Sequence, residues 1–496
     1  MNNVEDFDNS AEVDSIPIDE YYELLESGGA LIEDFINKNI MIFIEKDFEK
    51  IIYTHVFENL KSQFLYYNEL INDNIDEVIK DIVDETMDIY FKHVAPNRCN
   101  GPTYILDKDE IRYDKNVLKN TLDYLKSIPQ EPQRTPGWYE FRYKHFTASS
   151  IWKAYSTPSN QNQLIYSKCK PFDATKYSGF VNINSPLHWG QKFEEVSVKW
   201  YEVNYNTKID EFGCIPHKDI KYLAASPDGI NTDINSPRYG RMLEIKNIFN
   251  REIDGKPKKE YWVQMQIQME VCDLDECDFL ETRFKEYETF EDFEKDGTFT
   301  KTEDGRDKGV FMMFQNSEGK PYYIYPEYGI SEDCFEEWEQ KMMEENKDNT
   351  WIQNIYWHLD EVSCVLVLRN RLWFNKTKHI LDETWETVIR ERVTGYEHRA
   401  PKRRIKRNKD KENIIVKKTG CIIDIKRSNT PPTPAAIDDE VDELDVTDIS
   451  NAFEIPIVHK QKEEFENKPR EKISKKKNKN TKKVIIFDLE TTKLND

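Results

Sequence analysis

Ser226-Pro227-Asp228-Gly229 is followed by a turn-rich spacer, then by Leu243-Glu244-Ile245-Lys246, then by Tyr261-Trp262-Val263-Gln264-Met265-Gln266. Two carboxylates of this kind hold a hard divalent cation through oxygen, and such a cation suits phosphate substrates. Lys246 falls two residues past Glu244, so on a strand the two side chains share a face. There a lysine can orient or deprotonate a water, or neutralise charge on a phosphate under attack. Glu-Ile-Lys alone is also the pattern of an ordinary amphipathic strand. Its occurrence after Asp228 and before the Tyr261–Gln266 block is what points to chemistry.

The chain around this stretch has 496 residues, enough for two to four domains. Hydrophobic residues make up 38%, enough for a core, but 33% are charged and the mean hydropathy is -0.79, which implies long exposed helices or disordered segments. The formal charge of -23 argues against a DNA partner only until its distribution is read. Residues 1–130 carry 12 Lys/Arg against 28 Asp/Glu, residues 131–280 carry 19 against 20, and residues 401–483 carry 22 against 15. The acidity sits at the N-terminus, and the region of the quoted stretch is close to neutral. The eight cysteines include no CxxC pair, and the spacing of Cys272 and Cys277 suits no common zinc site. Reduced thiols in an intracellular setting are therefore expected. No apolar run reaches membrane-spanning length, and the acidic start is unlike a signal peptide, so no membrane role is expected.

Residues 1–15 are polar and expected to be disordered. Residues 16–130 read as an acidic helical module, with Leu31, Ile32, Phe35, Ile36 and Ile40 at helical spacing, and Val78, Ile79, Ile82, Met87 and Phe91 likewise. Its acidic faces fit either a solvated surface or a dock for a basic partner. Residues 155–188 read as a loop and 191–203 as a helix. Lys208–Ile215, Tyr222–Ala225 and 242–246 read as strands, with a hairpin turn over Asn231–Gly240. Glu260–Val271 reads as a helix on which Gln264 and Gln268 share a face. Further strands are expected at Phe279–Phe284, Val310–Phe314 and Tyr322–Tyr325, helices at 332–346 and 378–392, and a hairpin-like pair over 355–374. From Pro401 basic runs alternate with acidic and Pro-Thr segments, so 396–483 reads as a disordered charged linker, either a solvated tail, a nonspecific DNA tether or an import signal.

Taken in order, the blocks resemble the PD-(D/E)XK nuclease superfamily in its lambda-exonuclease or YqaJ-type viral recombinase branch. Besides the opening stretch, the resemblance rests on Trp138, Arg142 and Thr147-Ala148-Ser149, and on Trp189-Gly190-Gln191-Lys192-Phe193-Glu194-Glu195. Trp138, Phe141 and Phe146 also fit the core face of a helix. The likeness covers residues 131–290 strongly and extends weakly to 395. It implies an α+β, restriction-endonuclease-like core with a mixed central sheet flanked by helices. It also implies Mg²⁺ or Mn²⁺ held by Asp228, Glu244 and the Ile245 carbonyl, with Lys246 as the catalytic base or electrostatic group. Glu194 matches the family's helical glutamate near the metal, with its neighbour Glu195 left open as the alternative. Gln264 would position water or a DNA phosphate, whereas Gln268 fits that role or a surface polar helix equally. Arg142, Ser149, Ser226 and Arg251 match residues that grip the 5′-phosphate of a DNA end. The spacing of 16 positions from Asp228 to Glu244 exceeds the usual one, which a longer hairpin absorbs.

The activity so implied is a 5′→3′ exonuclease on double-stranded DNA ends, acting in viral recombination or repair. In-line attack of water, assisted by Lys246, would cut the strand. Partners would be a single-strand annealing protein and further copies in a ring (a trimer), and the setting a host cell, in a viral factory or the nucleus. An endonuclease of the same superfamily and a noncatalytic DNA-end scaffold are the alternatives. At 484–496, Val484-Ile485-Ile486-Phe487-Asp488-Leu489-Glu490 resembles the first motif of DnaQ-like exonucleases. One strand cannot form that site, so Asp488 and Glu490 are not counted; a truncated fusion, a split gene or chance would account for them.

Overall fold

In the computed structural model of the chain, residues 18–67, 75–101, 114–133, 135–172, 183 and 185–401 are described. The segment expected to be disordered at 1–15, the basic runs beyond 401 and the motif at 484–496 fall outside them. The N-terminal region forms α1 (Ile18–Lys38), α2 (Phe48–Tyr67) and α3 (Ile75–His93), with a 3-10 turn at Ile40–Ile44. Of the apolar positions at helical spacing, Ile32, Ile36, Ile79, Ile82 and Met87 are buried, and Leu31, Phe35, Ile40, Val78 and Phe91 are half-buried.

Helix α4 (Lys115–Ser127) starts on Asp114, whose side chain accepts from the Asn116 amide at 2.8 Å. Helix α5 (Pro136–Lys144) has Thr135 as its cap and Pro in the first turn. Strand β1 (Phe146–Thr147), α6 (Ala148–Ile151) and α7 (Pro158–Cys169) follow. Helix α7 lies where a loop is expected from the Ser/Asn-rich composition. Thr157 caps it, Pro158 opens it, and Leu164 and Ile165 bury its inner side. Next come α8 (Pro186–Tyr205), β2 (Ile209–Asp210), β3 (Ile215–Pro216), β4 (Leu223–Ala225), β5 (Gly229–Asn231), β6 (Met242–Asn247) and α9 (Lys259–Cys272). The described chain ends with β7 (Glu276–Glu286), α10 (Phe290–Lys295), β8 (Lys308–Gln315), β9 (Pro321–Ile324), α11 (Glu332–Glu345), β10 (Thr350–Leu368) and α12 (Arg371–Thr394).

The fold is α+β. A seven-stranded sheet runs in the order β2-β5-β6-β7-β10-β8-β9, and a small sheet runs β1-β4-β3. Strands β6 and β7 are parallel and the other pairs of the large sheet antiparallel, so that sheet is mixed. The hairpin-like pair expected over 355–374 is instead the long strand β10 followed by the start of α12. The polar centre His358–Glu361 resembles a turn in sequence, but in the structure it holds a bulge between Leu359 and Glu361. There β10 parts from β8 and continues alongside β7.

Helices cover both faces of β6. Leu243 and Ile245 pack into a core with Phe193, Val196 and Trp200 of α8. Glu244 and Lys246 point to the opposite face, toward α9. The N-terminal helices belong to the same compact unit as the sheet. Arg98, 1% exposed, donates to the carbonyls of Phe43 at 3.0 Å and of Pro257 at 2.7 and 3.0 Å, with its guanidinium 5.2 Å from the Trp262 ring. Among the described residues no helix is long and apolar enough to cross a membrane, and the cysteines are free thiols.

Candidate active site

Asp228 lies in the three-residue link by which the chain passes from the small sheet to the large one, after β4 and before β5. Gly229 follows because a Cβ there would collide with the Ile209 side chain on β2. The chain then turns through the long hairpin at 231–240, with Gly240 at φ +80°. Arg238 and Arg241 pin the hairpin to buried Asp278 on β7, Arg241 at 3.1 Å, and Tyr201 donates to the same carboxylate at 2.5 Å. Anchored in this way, the additional residues leave Glu244 on the strand next to β5.

Strand β5 pairs with β6 only at Leu243 and Met242. Beyond Leu243 that side of β6 has no strand neighbour among the described residues. The Ile245 amide, facing this gap, donates to Asp228 Oδ2 at 2.7 Å. The Ile245 carbonyl faces the same gap, because a strand residue sends its N–H and C=O to one side. Asp228, Glu244 and the Ile245 carbonyl are therefore gathered at one sheet edge.

Glu244 is fully buried and accepts three donors. Lys246 Nζ and Gln264 Nε2 reach Oε1, the latter at 2.6 Å, and Gln268 Nε2 reaches Oε2 at 2.7 Å. Gln268 also donates to the Ser226 carbonyl at 3.3 Å. Both glutamines are buried, so Gln268 is no surface residue; their i, i+4 spacing on α9 clamps the carboxylate. Burial pushes the Asp228 carboxyl well above its ordinary range, Glu244 and Glu194 add to this, and Lys246 opposes it. Burial alone would lower the Lys246 amine, but Glu244 and Asp228 outweigh it and hold the group above the ordinary lysine value.

The two α8 acids separate. Glu194 acts on the Asp228 charge, whereas Glu195 pairs with Lys199 at 3.4 Å along the helix. Asn247, just past Lys246, fixes α8 to the sheet. It donates to the Gly190 carbonyl at 2.7 Å and accepts from Ser197 at 2.7 Å and Thr282 at 2.6 Å.

Among the described residues no three His, Cys, Asp or Glu side chains gather closely enough to cage a metal. The donors present fit Mg²⁺ or Mn²⁺ nonetheless. They are hard oxygens on one edge, Glu244 is buried and Asp228 half-buried, Lys246 contacts Glu244, and Mg²⁺ takes one or two carboxylates and completes its shell with water and substrate phosphate.

Arg142 and Ser149 meet: Nη2 donates to Oγ at 3.0 Å, and the guanidinium lies 4.3 Å from the Trp138 ring. Strand β1 pairs in parallel with β4, Thr147 beside Ala224, so the start of α6 comes up beside the end of β4, three residues before Asp228. Helix α6 also packs against α9. The last carbonyls of α5 each receive a side chain: Phe141 from His145 at 2.8 Å, Arg142 from Lys168 at 2.6 Å, and Tyr143 from Arg392 at 3.3 Å.

Burial, with the Arg142 and Arg392 charges added, lowers the Lys168 amine from its ordinary 10.5 to about 7. A folded-state value below the unfolded one means that stability from this group is fully present above 10.5 and lost as pH falls through about 7. Against Lys168→Met, wild type should gain on the order of 4 kcal/mol between those limits, read by urea denaturation at pH 6.5 and pH 10. Parallel pH profiles for the two proteins would refute this.

Arg251 stands apart from Arg142 and Ser149 in its contacts. It pairs with Glu281 on β7, donates to the Glu252 carbonyl at 3.2 Å, and lies 5.4 Å from the Tyr261 ring, which has Lys246 Nζ at 5.1 Å. Glu281 is a site-edge acid that the sequence reading passed over. It is one of several acids on β7, on the same strand face as Phe279, and nothing local sets it apart. Lys168 and Arg392 carry no local signal, since their partners are distant in sequence.

Residues 137–275 match the model of the YqaJ-like viral recombinase domain. An uncharacterised protein of Acanthamoeba polyphaga mimivirus is 30% identical over 314 residues, covering 55% of each chain. The chain thus spans about half the length of this curated relative. Among solved structures, an alkaline exonuclease of Laribacter hongkongensis is similar at 16% identity, over 52% of this chain and 94% of that one, with a TM-score of 0.30. A phage-related exonuclease of Haemophilus somnus is similar at 12% identity, over 50% and 94%, with a TM-score of 0.25. The likeness to the lambda-exonuclease and YqaJ-type branch, read from five short blocks of sequence, is shown over residues 137–275, where the chain matches the YqaJ-like viral recombinase domain.

Proposed function

We propose that this chain is a Mg²⁺- or Mn²⁺-dependent deoxyribonuclease that degrades double-stranded DNA from 5′ ends, in viral recombination or repair. The observation that carries the reading is the meeting of Asp228, Glu244, the Ile245 carbonyl and Lys246 at one sheet edge, next to the strand that brings Arg142 and Ser149. Asp228, Glu244 and the Ile245 carbonyl would hold the cation, which when bound supplies Lewis-acid polarisation of the scissile phosphate.

The remaining work falls to the chain's own groups. Gln264 and Gln268 keep the Glu244 carboxylate aimed at the edge. Lys246, held cationic by Glu244 and the Asp228 charge, stabilises charge that grows on the phosphate and can pass a proton to or from water. Arg142 and Ser149 supply a planar fork and a hydroxyl for the terminal 5′-phosphate, Trp138 fixing the plane of the fork. Ser226 and Arg251 extend that grip. Glu194 lends negative potential behind Asp228. A ring of copies and a strand-annealing partner belong to the same reading.

Purified protein with Mg²⁺ should digest 5′-phosphorylated linear duplex at least about tenfold faster than covalently closed circles of the same sequence, because the arginine–serine pair has no terminal phosphate to hold on a circle. Equal rates on both would replace the end-dependent reading with an endonuclease.

A further inference from the structure

We propose that Glu281 is a positioning residue: it sets the guanidinium of Arg251 toward the terminal phosphate, and its loss removes the preference for phosphorylated ends. The inference rests on the reading of Arg251 as a phosphate-gripping residue given above.

Parallel pairing of β6 with β7 puts Glu281 directly beside Lys246 and Phe279 beside Glu244. Paired residues in a sheet share a face, so Glu281 lies on the face that carries Glu244 and Lys246. Two residues on, Arg283 shares that face again. Arg251 is held by both: Glu281 Oε1 accepts from its Nη2, and Arg283 Nη2 donates to its main-chain carbonyl. Arg283 is itself held by Glu361 at 2.5 Å. One strand thereby fixes the base and the tip of an arginine that otherwise stands on a loop.

The alternative is that Glu281 merely substitutes for a phosphate and moves aside. Its place argues against that. Glu281 is 1% exposed in the middle of a paired strand, and its Oε2 is buried with no hydrogen-bond partner among the described residues. A carboxylate in this position cannot swing into water, and burying it costs free energy that the arginine offsets. Arg251 is the more open partner, with 17% of its side chain exposed. A guanidinium has five N–H donors in a fixed plane, so one edge can stay on Glu281 while another faces an anion. The Tyr261 ring lies near both cations, 5.1 Å from Lys246 Nζ and 5.4 Å from the Arg251 guanidinium.

The test compares kcat and KM on duplexes with a 5′-phosphoryl or a 5′-hydroxyl end. Wild type should prefer the phosphoryl end, and Arg251→Ala should lose about tenfold of that preference. Glu281→Ala should lose as much, through KM, and the double variant no more than either alone. Glu281→Gln, which keeps the shape and one acceptor oxygen, should lose about threefold. If Glu281→Ala does not fold, the Gln variant decides: an unchanged preference overturns the proposal. So does a Glu281→Ala protein that slows equally on both ends while Arg251→Ala loses the preference, since that is a structural effect only. A wild type with no preference would refute the phosphate-gripping role of Arg251 itself, and the proposal with it.

Discussion

Replacing Lys246 with alanine is expected to lower kcat on linear duplex about 10³-fold, with little change in KM. Lys246 is the cation in contact with Glu244, and two carboxylates raise its affinity for a proton despite burial. Its charge is aimed at the edge where the phosphate would sit, so its contribution grows as the phosphate gains charge in the transition state. An interaction made mainly there lowers kcat and leaves ground-state binding nearly intact. The fold should survive, because Gln264 and Gln268 still donate to Glu244. Single-turnover digestion of end-labelled duplex checks this. A rise in KM with unchanged kcat would instead make Lys246 a simple binding residue.

Asp228→Asn should abolish cleavage, below about 10⁻³ of wild type, and at the same time make the cation-free protein more stable at neutral pH. Burial and the Glu244 charge raise the Asp228 carboxyl well above its ordinary 3.8. The stability tied to a raised carboxyl is fully present below the unfolded value and is lost as pH rises through the folded one. At pH 8 the wild-type site therefore carries repulsion that asparagine removes, while asparagine can still accept from the Ile245 amide. Mg²⁺ at a hundred times its dissociation constant should stabilise wild type by about 2.7 kcal/mol and the variant hardly at all. Thermal melting with and without EDTA reads both effects. A variant that melts lower than wild type in EDTA and responds equally to Mg²⁺ would place the cation elsewhere.

Much of this arrangement was legible because it follows short periods. The two-residue step from Glu244 to Lys246 sets a shared strand face, and the four-residue step from Gln264 to Gln268 sets a shared helix face; both hold in the structure. The hairpin between Asp228 and Glu244 was readable from Asn, Ser, Pro and Gly at its tip. Which of Glu194 and Glu195 acts on Asp228 depends on the roll of α8, which Asn247 and the Phe193–Trp200 core face set together, and adjacent residues in one sequence do not reveal that. The β10 bulge was hidden for a different reason: a polar break in an apolar run reads as a turn, and only the change of partner from β8 to β7 shows that the strand continues. The pairing of Arg251 with Glu281 and the seating of Lys168 and Arg392 under α5 are tertiary, linking residues at least 26 positions apart. No local pattern encodes them.

The most direct measurement is nucleotide release from 5′-phosphorylated linear duplex in Mg²⁺, with wild type and Asp228→Asn side by side at equal concentration. A phosphodiester-cutting edge built on Asp228, Glu244 and Lys246 releases nucleotides in the wild-type reaction and none above background in the other. Equal release by both proteins, or none by wild type in either Mg²⁺ or Mn²⁺, would contradict it.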